Sequence, residues 1–127
     1  MLLLQKIVFL LWQLIKNGSL EQGTILFWDE PEANLNPVAL PILVDILLQL
    51  QREGVQIFIA THDYILAKYF EVKVQPDNDI RYYSLFEDED GKVSSGFGNN
   101  FRDLARNPII KAFDLLLDQV IDRNIGD

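Results

Sequence analysis

The chain has no cysteine among its 127 residues, which excludes disulfide bridges and thiolate-bound metals. Histidine is nearly as scarce, since His62 is the only one. Basic residues are also few: 11 lysines and arginines stand against 19 acids, and the net charge is −8. This balance disfavours nonspecific binding of nucleic acid through this chain, and no basic groove for nucleic acid is evident in the sequence.

The chain also lacks an uninterrupted apolar run long enough to cross a bilayer. Residues 1–17 have the pattern of a strongly apolar helix that ends at Asn17-Gly18, but polar side chains interrupt it. These are Gln5, Lys6, Gln13 and Lys16. No small-residue cleavage site follows, so we expect no membrane segment and a cytoplasmic protein.

Two adjacent acids follow an apolar run near the start of the chain. Residues 25–28 are four large apolar side chains, which predicts a strand buried on both faces, and Asp29 and Glu30 come directly after them. Buried and unpaired, two carboxylates would be costly, so their position at a strand tip favours contact with water, a cation or a donor. Magnesium with a substrate phosphate satisfies both acids. The alternative is a solvated acidic turn in which Pro31 stops the strand, because proline has no amide hydrogen.

A second apolar run, residues 55–60, predicts another buried strand. Between the runs, residues 37–52 repeat apolar side chains at helical spacing, and Gly54 marks the end of that helix. Strand, helix and strand over residues 24–63 predict a βαβ unit with a parallel sheet. The fold class is therefore α/β.

His62 follows the second strand, as Asp29 and Glu30 follow the first. Because parallel strands end at the same edge of a sheet, we expect these three side chains to face one crevice. An imidazole there could contact a phosphate or an attacking water, since it exchanges a proton near neutral pH. A partly buried histidine bonded to a carbonyl is the structural alternative.

The segment Trp28-Asp29-Glu30-Pro31-Glu32 resembles the Walker B motif of ABC-type ATPases. The branch concerned is the one shared by RecF-like, SMC-like and overcoming-lysogenization-defect-like proteins. Ala33-Asn34-Leu35-Asn36-Pro37 is similar to its D-loop, and residues 57–63 are similar to its next strand, which ends in the switch histidine. The order and spacing of the three motifs agree with that branch. The resemblance implies a P-loop NTPase-like parallel sheet with flanking helices, which binds and hydrolyses ATP at a dimer interface.

The resemblance also implies roles for single residues. Asp29 would hold Mg²⁺, Glu30 would polarise the attacking water, and His62 would sense the terminal phosphate. Asn34 and Asn36 would lie in the D-loop near a partner's nucleotide. Asn36 also precedes a proline, which is typical of a helix cap, and it replaces the acid or histidine common near the end of this loop, which weakens an acid-base role there.

The chain contains no Gly-x-x-x-x-Gly-Lys-Ser/Thr loop, the backbone nest that holds phosphates in P-loop enzymes. In the family that loop and a Ser-Gly signature belong to the amino-terminal part, and residues 1–17 correspond to the helix after the signature. The resemblance thus implies one partial ATPase domain over residues 1–127, completed by a homodimer or a hetero-partner that supplies the phosphate loop and the signature. Relatives in DNA repair and phage defence make a nuclease or effector partner plausible. The alternative is a noncatalytic remnant or an interaction subunit of a split ATPase.

Residues 80–127 predict a hairpin followed by an amphipathic helix. The acidic turn of residues 87–91 lacks the oxygen spacing of a calcium loop, which indicates a solvated hairpin tip. Residues 94–99, the most glycine-rich segment, predict a turn. A metal-dependent phosphatase built on Asp29, Glu30 and His62 would need further ligands, and none occurs at suitable spacing.

Overall fold

The computed structural model describes residues 2–101 and 108–125. The chain divides into two compact units, residues 1–79 and residues 80–127, which are described separately below. Residues 102–107, which fall inside the predicted hairpin-and-helix segment, lie outside the described part of the chain. The assignment of both units to one ATPase domain stays a prediction.

The first unit is a βαβ unit with an additional helix on either side of it. The elements, in chain order, are helix α1 (Leu2–Lys16), strand β1 (Ile25–Asp29), a 3-10 turn (Pro37–Ala39), helix α2 (Leu40–Arg52), strand β2 (Gln56–Ala60) and helix α3 (Tyr64–Lys73). Strands β1 and β2 pair in parallel, with Asp29 opposite Ala60. The predicted α/β class and parallel strand pair are confirmed, and this small parallel sheet is compatible with a P-loop-like fold.

Helix α2 forms the core of the first unit, because its apolar stripe is almost completely buried. The buried side chains of this helix are Leu40, Leu43, Val44, Leu47, Leu48 and Leu50. The predicted helix begins one turn later than expected, since Pro37–Ala39 forms a 3-10 turn first. Asn36 caps that turn as predicted, and its Oδ1 accepts a hydrogen bond from Val38 N at 3.1 Å.

Gly54 ends the crossover and brings the loop before β1 close to α2. Its φ is +94°, and a Cβ at this position would lie 2.7 Å from Gln22 Cγ. Its carbonyl accepts a hydrogen bond from Gly23 N at 2.9 Å. A glycine is therefore required here both for the backbone conformation and for the close approach.

Within residues 2–79 the two parallel strands are covered on one face only, which corrects the prediction of a sheet buried on both. Exposed and partly buried residues alternate along both strands. Phe27 is 74% exposed and Phe58 is 46% exposed, and their stacked rings lie 5.0 Å apart between centroids. Helix α2 contacts β2. An apolar run marks a strand as suited to burial, but whether a second layer covers it depends on packing beyond the run itself.

The second unit contains the predicted hairpin and helix. Strand β3 (Tyr82–Glu87) pairs in antiparallel fashion with β4 (Val93–Gly98), and helix α4 spans Pro108–Ile125. Asp88 organises the hairpin tip, since its Oδ1 accepts hydrogen bonds from Asp90 N and Lys92 N. The prediction of a turn over the glycine-rich segment is wrong, because most of it forms β4. Glycine and serine do not favour the strand conformation by themselves, and the backbone hydrogen bonds to β3 stabilise it here.

None of the helices within residues 2–101 and 108–125 is both long enough and apolar enough to cross a membrane.

Candidate active site

The ends of β1 and β2 place the predicted catalytic residues on one edge of the sheet. Asp29 is the last residue of β1 and lies opposite Ala60, the last residue of β2. Glu30 N then donates a hydrogen bond to Ala60 O at 2.8 Å, so the first residue after β1 stays fixed against β2. Because His62 follows two residues after Ala60, the register brings it close to Glu30.

Glu30 and His62 contact each other directly. His62 Nδ1 lies 3.0 Å from Glu30 Oε1. The side chain of His62 is 81% exposed and that of Glu30 is 44% exposed. The pair is therefore an acid and an imidazole held together at an open strand edge, where a ligand or a water molecule can reach both groups.

The backbone of Glu30 has an unusual conformation. Its φ is +49°, in the left-handed region that residues with a Cβ rarely adopt. For such a residue this region costs roughly 1–2 kcal/mol. Backbone strain of this kind concentrates at functional sites, where the surrounding structure holds a side chain in a set direction. No residue type or spacing around Glu30 predicts this conformation.

The other predicted site residues lie around this pair in different ways. Asp29 is exposed at the end of β1. Asn34 is exposed and also has a left-handed backbone, with φ +62°. Asn36 uses its side-chain oxygen for the cap on Val38 N. In the part of the chain that the structure describes, no hydrogen bond joins either asparagine to Glu30 or His62.

Two further polar residues meet beside the pair, although the motifs assign them no role. Thr61 Oγ1 donates a hydrogen bond of 2.5 Å to Glu32 Oε1. The same hydroxyl accepts a hydrogen bond from Asp63 N at 3.0 Å. Both residues lie within the motif segments, residues 28–32 and 57–63, so their place near the strand ends could have been predicted, but the contact between them could not.

Asp29 is the residue whose chemistry suits a magnesium ion. Within residues 2–101 and 108–125, no three or more histidine, aspartate and glutamate side chains cluster in a way that could hold a metal ion. Magnesium in nucleotide sites is commonly held by only one or two carboxylates, together with water and substrate phosphates. A single exposed carboxylate at the end of β1 fits that pattern.

Comparison with protein families supports a P-loop ATPase-like domain independently of the site geometry. Residues 4–68, just over half of the chain, match the family described as "AAA domain, putative AbiEii toxin, Type IV TA system". The chain belongs to this family. The comparison with curated proteins found no match, and neither did the comparison with solved structures.

The match places the candidate site inside the AAA domain. It covers α1, both strands of the parallel sheet, α2 and the beginning of α3. Glu30, His62, Glu32 and Thr61 all lie within it. Membership of this family supports a P-loop ATPase-like domain and a nucleotide-dependent function.

Proposed function

We propose that this AAA domain provides the hydrolytic edge of an ABC-type ATPase site, where ATP and water are converted to ADP and phosphate. The observation that carries the proposal is the contact of 3.0 Å between His62 Nδ1 and Glu30 Oε1 at the ends of two paired parallel strands. An acid and an imidazole at this edge are the groups that a reaction between water and a terminal phosphate needs.

Glu30 and His62 have different proposed roles, which depend on the atoms that their mutual contact leaves free. With a proton on Nδ1, His62 donates to Glu30 Oε1 and orients the carboxylate. The second oxygen of Glu30 then accepts a hydrogen bond from the attacking water and polarises it. A second ring proton, on Nε2, would let that nitrogen donate to an oxygen of the terminal phosphate, and this edge of the ring is largely exposed.

Asp29 is the proposed ligand of Mg²⁺. Bound there together with ATP, the ion would supply positive charge against that of the phosphates. The position of Asp29 one residue before Glu30 sets the carboxylate for the ion next to the carboxylate for the water.

A partner completes the proposed site. These 127 residues contain no Gly-x-x-x-x-Gly-Lys-Ser/Thr loop, and we propose that a homodimer or a hetero-partner supplies a phosphate loop and a signature turn. Asn34 and Asn36 lie in the loop after Glu30 and are the residues proposed to approach the partner's nucleotide. Closure and reopening of this dimer would then be driven by ATP binding and hydrolysis.

The biological setting of this cycle is also a proposal. The family description names a toxin and a type IV toxin–antitoxin system, and DNA repair and phage defence are the settings of the ABC-type branch that the motifs resemble. A nuclease or effector that responds to dimer closure fits each of these settings. The cytoplasm is the compartment proposed for it.

Titration calorimetry with magnesium and ATP tests the proposal. We expect little binding by the chain alone and restored binding when a polypeptide with a phosphate loop is added. In the restored complex, Glu30→Gln should keep ATP binding and lower the hydrolysis rate by about 10²–10⁴-fold, the usual contribution of a general base. Glu89→Gln, at an exposed acid of the hairpin tip, is the matched control and should hydrolyse ATP at the normal rate.

Normal hydrolysis by Glu30→Gln would refute the role of this residue. An interaction module is the second candidate, and the exposed apolar face formed by Ile25, Phe27 and Phe58 favours it. If the chain is an interaction module, we expect it to bind a partner through this apolar face, and we expect that no partner restores ATP binding.

A further inference from the structure

We propose that Glu32 is a positioning residue, which acts through Thr61 to hold His62 against Glu30. The inference rests on the proposed function in one respect only: it takes the contact between Glu30 and His62 to be the working arrangement of the site. Neither Glu32 nor Thr61 belongs to the proposed catalytic set, and neither contacts ATP in the proposal.

The hydroxyl of Thr61 links two segments that lie far apart in the sequence. It donates to Glu32 Oε1 at 2.5 Å, and Glu32 lies in the loop that follows β1. A hydroxyl bonded to a carboxylate oxygen at this distance is a strong, charge-assisted hydrogen bond. It therefore joins the loop after β1 to the segment after β2, one step beyond the backbone bond between Glu30 N and Ala60 O.

The same hydroxyl fixes the backbone on the far side of His62. It accepts a hydrogen bond from Asp63 N at 3.0 Å, and Asp63 Oδ1 in turn accepts one from Leu66 N at 3.0 Å, at the start of α3. Thr61 and Asp63 are thus both tied down, and His62 lies between them. Because its ring is 81% exposed, little packing holds it, and its direction depends on this backbone.

The second oxygen of Glu32 makes a purely structural role a poor explanation. Glu32 Oε2 is buried, and no hydrogen-bond partner for it exists within the described part of the chain. An unsatisfied buried polar atom lowers the stability of a fold, because it has lost its hydrogen bonds to water. A residue that served stability alone would not leave a buried oxygen unsatisfied. A carboxylate that is needed to hold Thr61 strongly can be retained despite this loss of stability.

His62 allows a direct test, because it is the only histidine and gives a single set of imidazole resonances in NMR spectra of the full chain. Glu30→Gln should displace the His62 ring resonances, since it changes the charge of the atom 3.0 Å from Nδ1. The size of this displacement measures how closely the two side chains are held. No nucleotide is needed.

The displacement of the His62 resonances by Glu30→Gln is then measured in two kinds of variant. One kind removes the hydrogen bond between Thr61 and Glu32, and the other keeps it. In Thr61→Val and in Glu32→Ala the bond is lost, and the effect of Glu30→Gln on His62 should fall to less than half. Thr61→Ser and Glu32→Gln keep a hydroxyl and an acceptor oxygen, and the effect should return. Far-UV circular dichroism identifies any variant that fails to fold, and the two independent pairs keep the test decisive if one is lost.

A displacement that is unchanged in Thr61→Val and Glu32→Ala would overturn the proposal. So would the absence of any displacement in the wild-type background, because Glu30 and His62 would then not be in contact. The outcome is separate from the ATPase proposal: a positive NMR result in a complex that never hydrolyses ATP would refute the enzyme function and leave the positioning role of Glu32 intact.

Discussion

Replacement of Glu30 by glycine should stabilise the fold relative to replacement by alanine. Both substitutions remove the carboxylate and its contact with His62, so the difference between them reports the backbone alone. At φ +49° alanine retains a Cβ and a penalty of roughly 1–2 kcal/mol. Glycine has no such penalty, but it loses more conformational entropy on folding than alanine does, which costs about 0.5–1 kcal/mol. The net advantage of Glu30→Gly over Glu30→Ala is therefore about 0.75 kcal/mol, the difference between the middles of the two ranges.

Urea unfolding followed by tryptophan fluorescence measures this difference. Both tryptophans, Trp12 and Trp28, lie in the first unit, so their emission reports the part of the chain that holds Glu30. Gln49 is the control position, since it lies on an exposed turn of α2. There the order should reverse, and alanine should be more stable than glycine by about 1 kcal/mol.

The reasoning would be refuted if Glu30→Ala were as stable as Glu30→Gly while the Gln49 pair behaved normally. Glu30 would then not adopt the left-handed conformation, and the direction of its carboxylate would need another explanation. A stability of Glu30→Gly above that of Glu30→Ala shows that the backbone at this position is strained for a residue with a Cβ, and the native glutamate is such a residue.

Three further predictions concern the scaffold and its exposed face. Leu43→Ala removes a side chain that is 0% exposed and should lower the free energy of unfolding by about 2–5 kcal/mol, whereas Ile42→Ala, at a position 43% exposed, should cost much less in the same urea titration. Asp63→Ala removes the helix cap on Leu66 N and should cost about 1 kcal/mol, with faster hydrogen exchange at that amide, while Asp63→Ser should restore protection. Phe27→Thr removes an aromatic side chain that is 74% exposed and should reduce self-association in light scattering without loss of the fold, and unchanged association would show that this face does not mediate it.

The arrangement of the first unit follows from patterns that can be read along the chain. Helical spacing predicts α2, and the two apolar runs predict β1 and β2. Parallel pairing then places the strand ends on one edge, so the meeting of Glu30 and His62 is a consequence of topology. Asn36 acts as a cap because its side chain and the following proline suit that position locally.

The features that sequence reasoning did not predict all depend on tertiary contacts. The exposure of Phe27 depends on whether another layer packs on the sheet, which an apolar run does not specify. The left-handed backbone of Glu30 is imposed by bonds on either side, from Glu30 N to Ala60 O and from Ala33 N to Glu30 O. The bond between Thr61 and Glu32 joins residues 29 positions apart, and no local rule relates them.

The charge at the strand ends leads to one last prediction, on the role of magnesium. Asp29, Glu30 and Glu32 place three acids beside the proposed phosphate position, in a chain of net charge −8, and His62 is the one imidazole among them. A nucleoside triphosphate without a counterion would be repelled by the acids at this edge of the sheet. ATP affinity of the completed complex should therefore depend steeply on Mg²⁺ and be lost on chelation, and Asp29→Asn should weaken that dependence more than Glu89→Asn does. Calorimetric titrations at a series of magnesium concentrations measure the effect. Binding of ATP that is equally tight without magnesium would mean that the phosphates do not lie at this edge, and Asp29, Glu30 and His62 would then lose their proposed roles together.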